Sequence, residues 1–163
     1  MTLSRRQVLA LCGSLPLLQP MALGDTHTQV LETSPFAYIS PVKSNQALSR
    51  CQAEVWYVRF KGALYVCSDT VSWRVKAVSQ GLVQARLWLG DVGDWDKSNQ
   101  AYLRLPTYTA NADIVSEATL WDELMPLFGE KYPLEWLLWR ASFRNGLADG
   151  SRTMIRYRLT QAS

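Results

Sequence analysis

The sequence predicts a small antiparallel β barrel or sheet with helices on one side, in a single domain. Three observations predict it. Apolar and polar residues alternate at 52–60 and again at 82–89, a pattern typical of strands. Lys61-Gly62, after the first of these stretches, indicates a two-residue hairpin turn. The 163 residues are 48% hydrophobic, which is enough for one folded core.

The first 24 residues resemble an export signal. Arg5 and Arg6 precede an uncharged stretch at 7–23, and Ala22 and Gly24 are small residues where a signal peptidase could cut. Adjacent arginines followed by a polar and two apolar residues are typical of the twin-arginine signal. We therefore expect the twin-arginine export machinery as a partner and a periplasmic or extracellular location. An ordinary secretory signal is the alternative.

Neither kind of membrane anchor is favoured by this segment. Gly13, Pro16 and Pro20 interrupt an apolar run that is already short for crossing a bilayer. Lipid attachment at Cys12 needs a small residue before it, and Leu11 stands there. We expect no stable membrane anchor.

Removal of residues 1–24 leaves a polar linker at 25–35 and a single domain at 36–163. The mature chain then has 15 Lys and Arg against 14 Asp and Glu, a net charge near +1. A charge this small, without a basic stripe, predicts that nucleic acid is not a partner.

Several common catalytic devices are absent from the sequence. It contains one histidine, His27, and two cysteines past the signal, Cys51 and Cys67, so a His and Cys metal site and a Ser-His-Asp triad are excluded. The hairpin turn would pair Phe60 with Ala63 and place Cys67 opposite Trp56. Cys51 would then lie about 16 Å further along the strand. A disulfide needs Cα atoms within roughly 7 Å, so we expect two free, buried thiols.

Periodicity and capping residues predict six strands and three helices. Within the second strand, Val55, Tyr57 and Arg59 share one face, and Trp56, Val58 and Phe60 share the other. Asn145-Gly146 and Asp149-Gly150 indicate turns. The predicted strands are 36–40, 52–60, 63–68, 82–89, 102–109 and 152–159, and the predicted helices are 73–80, 113–128 and 133–143.

This order of elements resembles the FMN-binding split barrel. The resemblance rests on a short strand, a polar loop, the hairpin EVWYVRFKGALYVCS, a capped basic helix and a further strand, from about Tyr38 to Leu89. It continues more weakly to Leu159, and Lys131-Tyr132-Pro133 is similar as well. The superfamily includes pyridoxamine 5′-phosphate oxidase and deazaflavin-dependent reductases. The resemblance implies a six-stranded antiparallel split barrel in Greek-key order with flanking helices, assembled as a homodimer.

In that superfamily, the loop and helix after the third strand hold the flavin phosphate with hydroxyls and basic side chains. A helix N-terminus with nearby cations is also a physically sound anion site. The oxidases place Arg and Lys consecutively after the serine. Here Val75 separates Arg74 from Lys76, so one of these cations is expected to face solvent. The matching positions are Ser68, Thr70, Ser72, Arg74 and Lys76.

The strand that runs along the flavin ring in relatives corresponds here to Trp56, Val58 and Arg59. The competing interpretation, which we favour, places Trp56 and Val58 in the core and Arg59 on an edge. The remaining tryptophans are expected in the core or in a dimer interface. They are Trp73, Trp88, Trp121, Trp136 and Trp139.

Two functions follow from the resemblance. The first is an exported oxidoreductase that uses FMN, or alternatively the deazaflavin F420, to act on a small oxidised acceptor. The second is a non-catalytic split-barrel protein that binds flavin or haem. No catalytic residue is identified in either case, because the flavin itself carries the hydride.

Overall fold

The computed structural model describes residues 23–49 and 53–162. Within these ranges, a curled, seven-stranded antiparallel sheet has the order β2-β1-β5-β6-β7-β4-β3. The strands are β1 (Phe36–Pro41), β2 (Ala53–Val55), β3 (Val58–Phe60), β4 (Ala63–Asp69), β5 (Gln84–Gly90), β6 (Thr107–Val115) and β7 (Arg152–Ala162). The helices are α1 (Leu23–Thr33), α2 (Trp73–Ser79), α3 (Ala118–Lys131) and α4 (Pro133–Asp149), with a 3-10 helix at Ala101–Arg104.

Two hydrophobic clusters lie on opposite faces of the sheet. The inner cluster fills the concave side and includes Leu64, Leu87 and Ile155, with α2 contributing Val75. The outer cluster joins the sheet to α3 and α4, for example through Phe128. The predicted split-barrel class is therefore confirmed, with seven strands where six were predicted. The helices pack on both faces of the sheet, and not on one side as predicted, because α1 and α2 contribute to the inner cluster.

The hairpin and the faces of the second predicted strand are confirmed. Phe60 pairs with Ala63, as the turn at Lys61-Gly62 predicts. Tyr57 packs in the inner cluster and Val58 in the outer cluster, as alternation requires.

The predicted strand at 52–60 is nevertheless two strands, β2 and β3, because the side chain of Tyr132 hydrogen-bonds to the backbone between them. The hydroxyl of Tyr132 accepts from the amide of Tyr57 at 3.0 Å and lies 3.0 Å from the carbonyl of Tyr57 and 2.8 Å from that of Pro35. The backbone of Tyr57 is therefore satisfied without a neighbouring strand, and β2 and β3 pair with different partners. Trp56 and Cys67 are consequently not paired across the hairpin.

The predicted linker at 25–35 is wrong, since α1 spans most of it. Leu31 is buried in the inner cluster, and the hydroxyl of Tyr57 donates to the Leu31 carbonyl at 3.0 Å. The segment is polar because one face of α1 is exposed.

Two predicted boundaries are also wrong. β6 begins at Thr107, after Pro106, and continues to Val115 where a helix was predicted, because Asp113 pairs with Arg156 across the sheet. Gly146 lies inside α4 and makes no turn. A Cβ there would lie 2.7 Å from Cγ of Arg152, so the glycine allows close packing of α4 against β7.

Cys67 is a buried free thiol, as predicted. Cys51 and the export signal at 1–22 lie outside the described residues. Across the residues that the structure describes, helices are too short or too polar to cross a membrane.

Candidate functional site

The turn between β4 and α2 brings three hydroxyls to one end of the barrel. Ser68 stands opposite Thr153 on β7, and the Thr70 hydroxyl lies 2.8 Å from that of Thr153. Thr70 also donates to the Gly150 carbonyl at 2.7 Å, so its hydroxyl ties the turn to the neighbouring loop. Ser72 precedes the first residue of α2, and its amide donates to the Asp69 carbonyl at 2.9 Å.

The hydroxyls of Ser68 and Ser72 are buried and have no hydrogen-bond partner among the described residues. Ser72 occupies the N-cap position of α2 and yet makes no capping bond with its side chain. Buried hydroxyls are nearly always hydrogen-bonded, so two without a partner, one near the end of β4 and one at the start of α2, require an explanation. They fit a site that accepts an anionic group from outside the protein.

The two cations of α2 differ in their surroundings. Arg74 is partly buried, and its positive charge opposes the rise in the pKa of Tyr157 that burial causes. Lys76 is exposed. The expectation that one of the pair faces solvent is thus confirmed, and Arg74 is the one near the barrel end.

Helix α2 itself contributes little to such a site. It has only seven residues, so its aligned peptide dipoles sum over less than two turns. The candidate phosphate site therefore depends on the hydroxyls of Ser68 and Ser72 and on the guanidinium of Arg74.

The three predicted strand residues do not join this cluster. Trp56 stacks on Tyr132 with ring centroids 4.7 Å apart, and Val58 is buried in the outer cluster. Arg59 is half-buried and forms an ion pair with Glu32 at 2.5 Å. The interpretation of these residues as core and edge positions is confirmed by their packing.

Lys131, which the sequence analysis names only as part of the resemblance, lies at the end of α3 with its amine buried. The Nζ of Lys131 lies 3.4 Å from the ring centroid of Tyr57 and has no hydrogen-bond partner in the described part of the chain. It lines a cavity of about 250 Å³ together with Arg59 and Glu130. Burial lowers the pKa of Lys131 to about 8, although Glu32 acts in the opposite direction. The sequence gives no signal that the Lys131 amine is buried, because lysine is common at helix ends.

His27 and Cys67 differ in their suitability as ligands of haem iron. His27, the sole histidine of the sequence, lies on α1 with its Nδ1 3.4 Å from the Tyr108 hydroxyl. Burial raises the pKa of Cys67 to about 12, against an opposing effect of Arg152, so its thiol stays protonated near neutral pH. Haem iron takes an imidazole, a thiolate, a thioether or a phenolate as ligand, so the protonated Cys67 is unsuited, while the Nε2 of His27 is compatible with ligation because ligating histidines commonly hydrogen-bond through the other ring nitrogen.

The fold is shared with proteins that bind flavin or haem. No family model matches the chain, and no curated protein matches it. Among solved structures, HutZ, the haem storage protein of Vibrio cholerae, is 14% identical with a TM-score of 0.60, covering 86% of this chain and 92% of that one. A putative pyridoxamine 5′-phosphate oxidase from Listeria innocua is 11% identical with a TM-score of 0.56, covering 86% and 96%.

A third neighbour is the FAD and haem binding protein of Mycobacterium smegmatis. It is 14% identical with a TM-score of 0.56, and the alignment covers 83% of this chain and 66% of that one. These likenesses show that the chain has the split-barrel fold. At these identities the likeness concerns the fold alone.

Proposed function

We propose that this protein is a flavoprotein that binds FMN with its phosphate at the β4–α2 turn. The observation that carries the proposal is the pair of buried, unpartnered hydroxyls of Ser68 and Ser72, with the partly buried Arg74 two residues further along in α2. A phosphate accepts several hydrogen bonds and carries negative charge, so it would satisfy both hydroxyls and pair with the guanidinium. The deazaflavin F420 also carries phosphate and is the alternative cofactor.

The chemistry is that of a flavin oxidoreductase acting on a small oxidised acceptor. A bound flavin would supply hydride transfer, and the protein would bind it, orient it and exclude water. This division of labour suits the chain, because the β4–α2 turn holds hydroxyls and one cation and no acid or base pair. Thr70 would hold the turn in place through its bonds to Gly150 and Thr153.

The proposed setting is the periplasm or the cell exterior, reached through the twin-arginine route, and the proposed assembly is a homodimer. Export of an already folded chain suits a protein that acquires its cofactor in the cytoplasm. Exposed apolar side chains on α4 support association with a second copy of the chain.

Titration of apo-protein with FMN, followed by quenching of flavin fluorescence, tests the phosphate site. Arg74→Ala removes a charge-assisted hydrogen bond worth roughly 1.5–3 kcal/mol, so FMN affinity should fall about tenfold to hundredfold. Lys76→Ala is the matched control, because it removes a cation of the same helix that is exposed. Equal affinity for FMN in both variants and the wild type would place the phosphate elsewhere.

A second candidate is a binding protein without catalysis. The observation in its favour is that two of the neighbours are named for haem storage or for FAD and haem binding. The protonated thiol of Cys67 argues against this residue as a haem ligand, whereas His27, hydrogen-bonded at Nδ1, keeps Nε2 for iron. A flavin that binds with high affinity but is not reoxidised by quinone or nitro acceptors would favour this candidate.

A further inference from the structure

A polar cavity lies on the outer face of β5 and β6, and no residue of the β4–α2 turn lines it. Arg86 lies between Ala85 and Leu87, which point into the inner cluster, so the arginine side chain is on the opposite face. The cavity has a volume of about 430 Å³, within the usual range for small-molecule sites. Its polar lining is Gln46, Gln84, Arg86, Thr109, Asn111 and Thr160.

Arg86 is a charged group without a partner. Its Nε is buried and has no hydrogen-bond acceptor in the described part of the chain. The hydroxyls of its neighbours across the sheet are engaged: Ser40 donates to the Ser49 carbonyl at 2.9 Å, and Thr109 accepts from Thr160 at 3.0 Å. A guanidinium keeps its charge at every physiological pH, so an unpaired one in a cavity wall needs an acceptor.

The surrounding charge has one sign. An adjoining cavity of about 300 Å³ shares Val42, Gln46 and Gln84 with the first and adds Lys43. Aspartate and glutamate are absent from both linings. On the same face of β6, Asp113 is held by Arg156 at 2.6 Å and Arg158 at 3.0 Å, so its charge is neutralised.

We propose that this cavity binds the oxyanion group, a carboxylate or a phosphate, of a small polar metabolite. The planar fork of Arg86 matches either group, and the neutral amides and hydroxyls of the lining bind the rest of the ligand. This site is separate from the β4–α2 turn, and the proposal does not depend on flavin binding.

Calorimetric titration of the full mature chain at low ionic strength tests the proposal, with inorganic phosphate and malonate as probes. At least one probe should bind, and which one binds better distinguishes a phosphate from a carboxylate ligand. Arg86→Gln should lower affinity for it about tenfold to hundredfold. Arg86→Lys keeps the charge but loses the planar fork of the guanidinium. Its affinity for the probe should lie between that of the wild type and that of Arg86→Gln. Arg104→Gln, a change at an exposed arginine of the 3-10 helix, should match the wild type.

A parallel variant separates this site from the proposed flavin phosphate site. Arg74→Gln should leave probe binding at Arg86 intact, whatever it does to FMN. The proposal is overturned if the wild type binds neither probe, or if Arg86→Gln leaves the affinity unchanged. It is also overturned if Arg86→Gln changes only the mass measured by light scattering, since Arg86 would then serve an interface between copies.

Discussion

Lys131 ends α3 with its amine against the ring of Tyr57, a contact that favours the charged ammonium, whereas burial favours the neutral amine. Burial lowers the pKa of Lys131 in the folded state to about 8, below the ordinary value of about 10.4 in an unfolded chain. The unfolded chain therefore binds more protons between these pH values, and the contribution of Lys131 to stability rises with pH across that window. Below pH 8 the contribution is constant and unfavourable.

Lys131→Met should accordingly change stability in a pH-dependent way. The free energy of unfolding of the wild type minus that of the variant should increase from pH 7.5 to pH 10 in urea titrations. Taking the difference cancels the tyrosines that ionise in both unfolded chains. A difference that stays flat over this range would mean that Lys131 titrates normally in the folded protein.

One atom of Tyr132, its hydroxyl oxygen, has a large structural role. Its hydroxyl contacts the backbone of Tyr57 and of Pro35, where β2 and β3 separate. Tyr132→Phe leaves these buried groups unsatisfied and should lower the free energy of unfolding by roughly 1–3 kcal/mol. Urea denaturation measures the free energy of unfolding, and a decrease of less than about 0.5 kcal/mol in Tyr132→Phe would contradict the role assigned to the hydroxyl.

For single residues, the sequence predicts which face a side chain occupies better than which groups it contacts. Alternation correctly places Tyr57 and Val58 on opposite faces, and helical spacing correctly leaves either Arg74 or Lys76 in solvent. The roles of Tyr132 and Arg86 were not predicted, because each depends on atoms brought together from distant parts of the chain. The partnerless hydroxyls of Ser68 and Ser72 are likewise visible only once the turn is folded.

Among the elements, α4 is apolar on two faces. Its buried face packs on the sheet through Phe143 and Leu147. Its other face exposes aliphatic side chains, with Leu134 at 77%, Leu137 at 66% and Leu138 at 80% exposed. A contiguous exposed patch of this kind is typical of an interaction surface, and we assign it to the proposed homodimer.

Leu137→Glu combined with Leu138→Glu should convert the homodimer into a monomer, because charges would be buried in the contact. Light scattering at micromolar concentration measures the mass, and circular dichroism checks that the fold survives. Val71→Glu is the control, since Val71 is 76% exposed in the turn before α2. A wild type that is monomeric, or a double variant that stays dimeric, would remove α4 from the interface.

Element boundaries were predicted where local chemistry sets them. Pro133 begins α4 and Gly81, with φ of +84°, follows α2, as the sequence indicates. The end of β6 was missed because tertiary pairing sets it: Asp113, Ile114 and Val115 pair with β7, although their spacing also fits a helix. The helix at α1 was missed because its apolar side is narrow.

For the whole molecule, the export route remains a prediction that involves residues outside the described part. Arg5→Lys with Arg6→Lys keeps the charge of a general secretory signal and removes the twin-arginine motif. The double variant should accumulate in the cytoplasm, and cell fractionation measures this. Normal appearance in the periplasm would instead indicate an ordinary secretory signal. The mature chain should begin near Asp25, within α1, which intact mass can check.

The global fold was predictable because the information for it is local and repeated. Alternating strands, one tight hairpin and a short helix predict a small antiparallel barrel or sheet, and the resemblance to a known family narrows this to a split barrel. The cofactor is harder to predict, because phosphate recognition uses a few hydroxyls and one arginine, which are common residues. Structural likeness at 11–14% identity adds the fold and leaves the ligand open.

The most direct test of the central claim is the absorption spectrum of the protein purified from cells that make flavins. Bound FMN should give a peak near ~450 nm that Arg74→Ala weakens and Lys76→Ala preserves, with the ligand supplying the band and the protein tuning it. A peak near ~400 nm instead would indicate haem or F420. A spectrum with neither band, in protein that also fails to bind added FMN, would contradict the account.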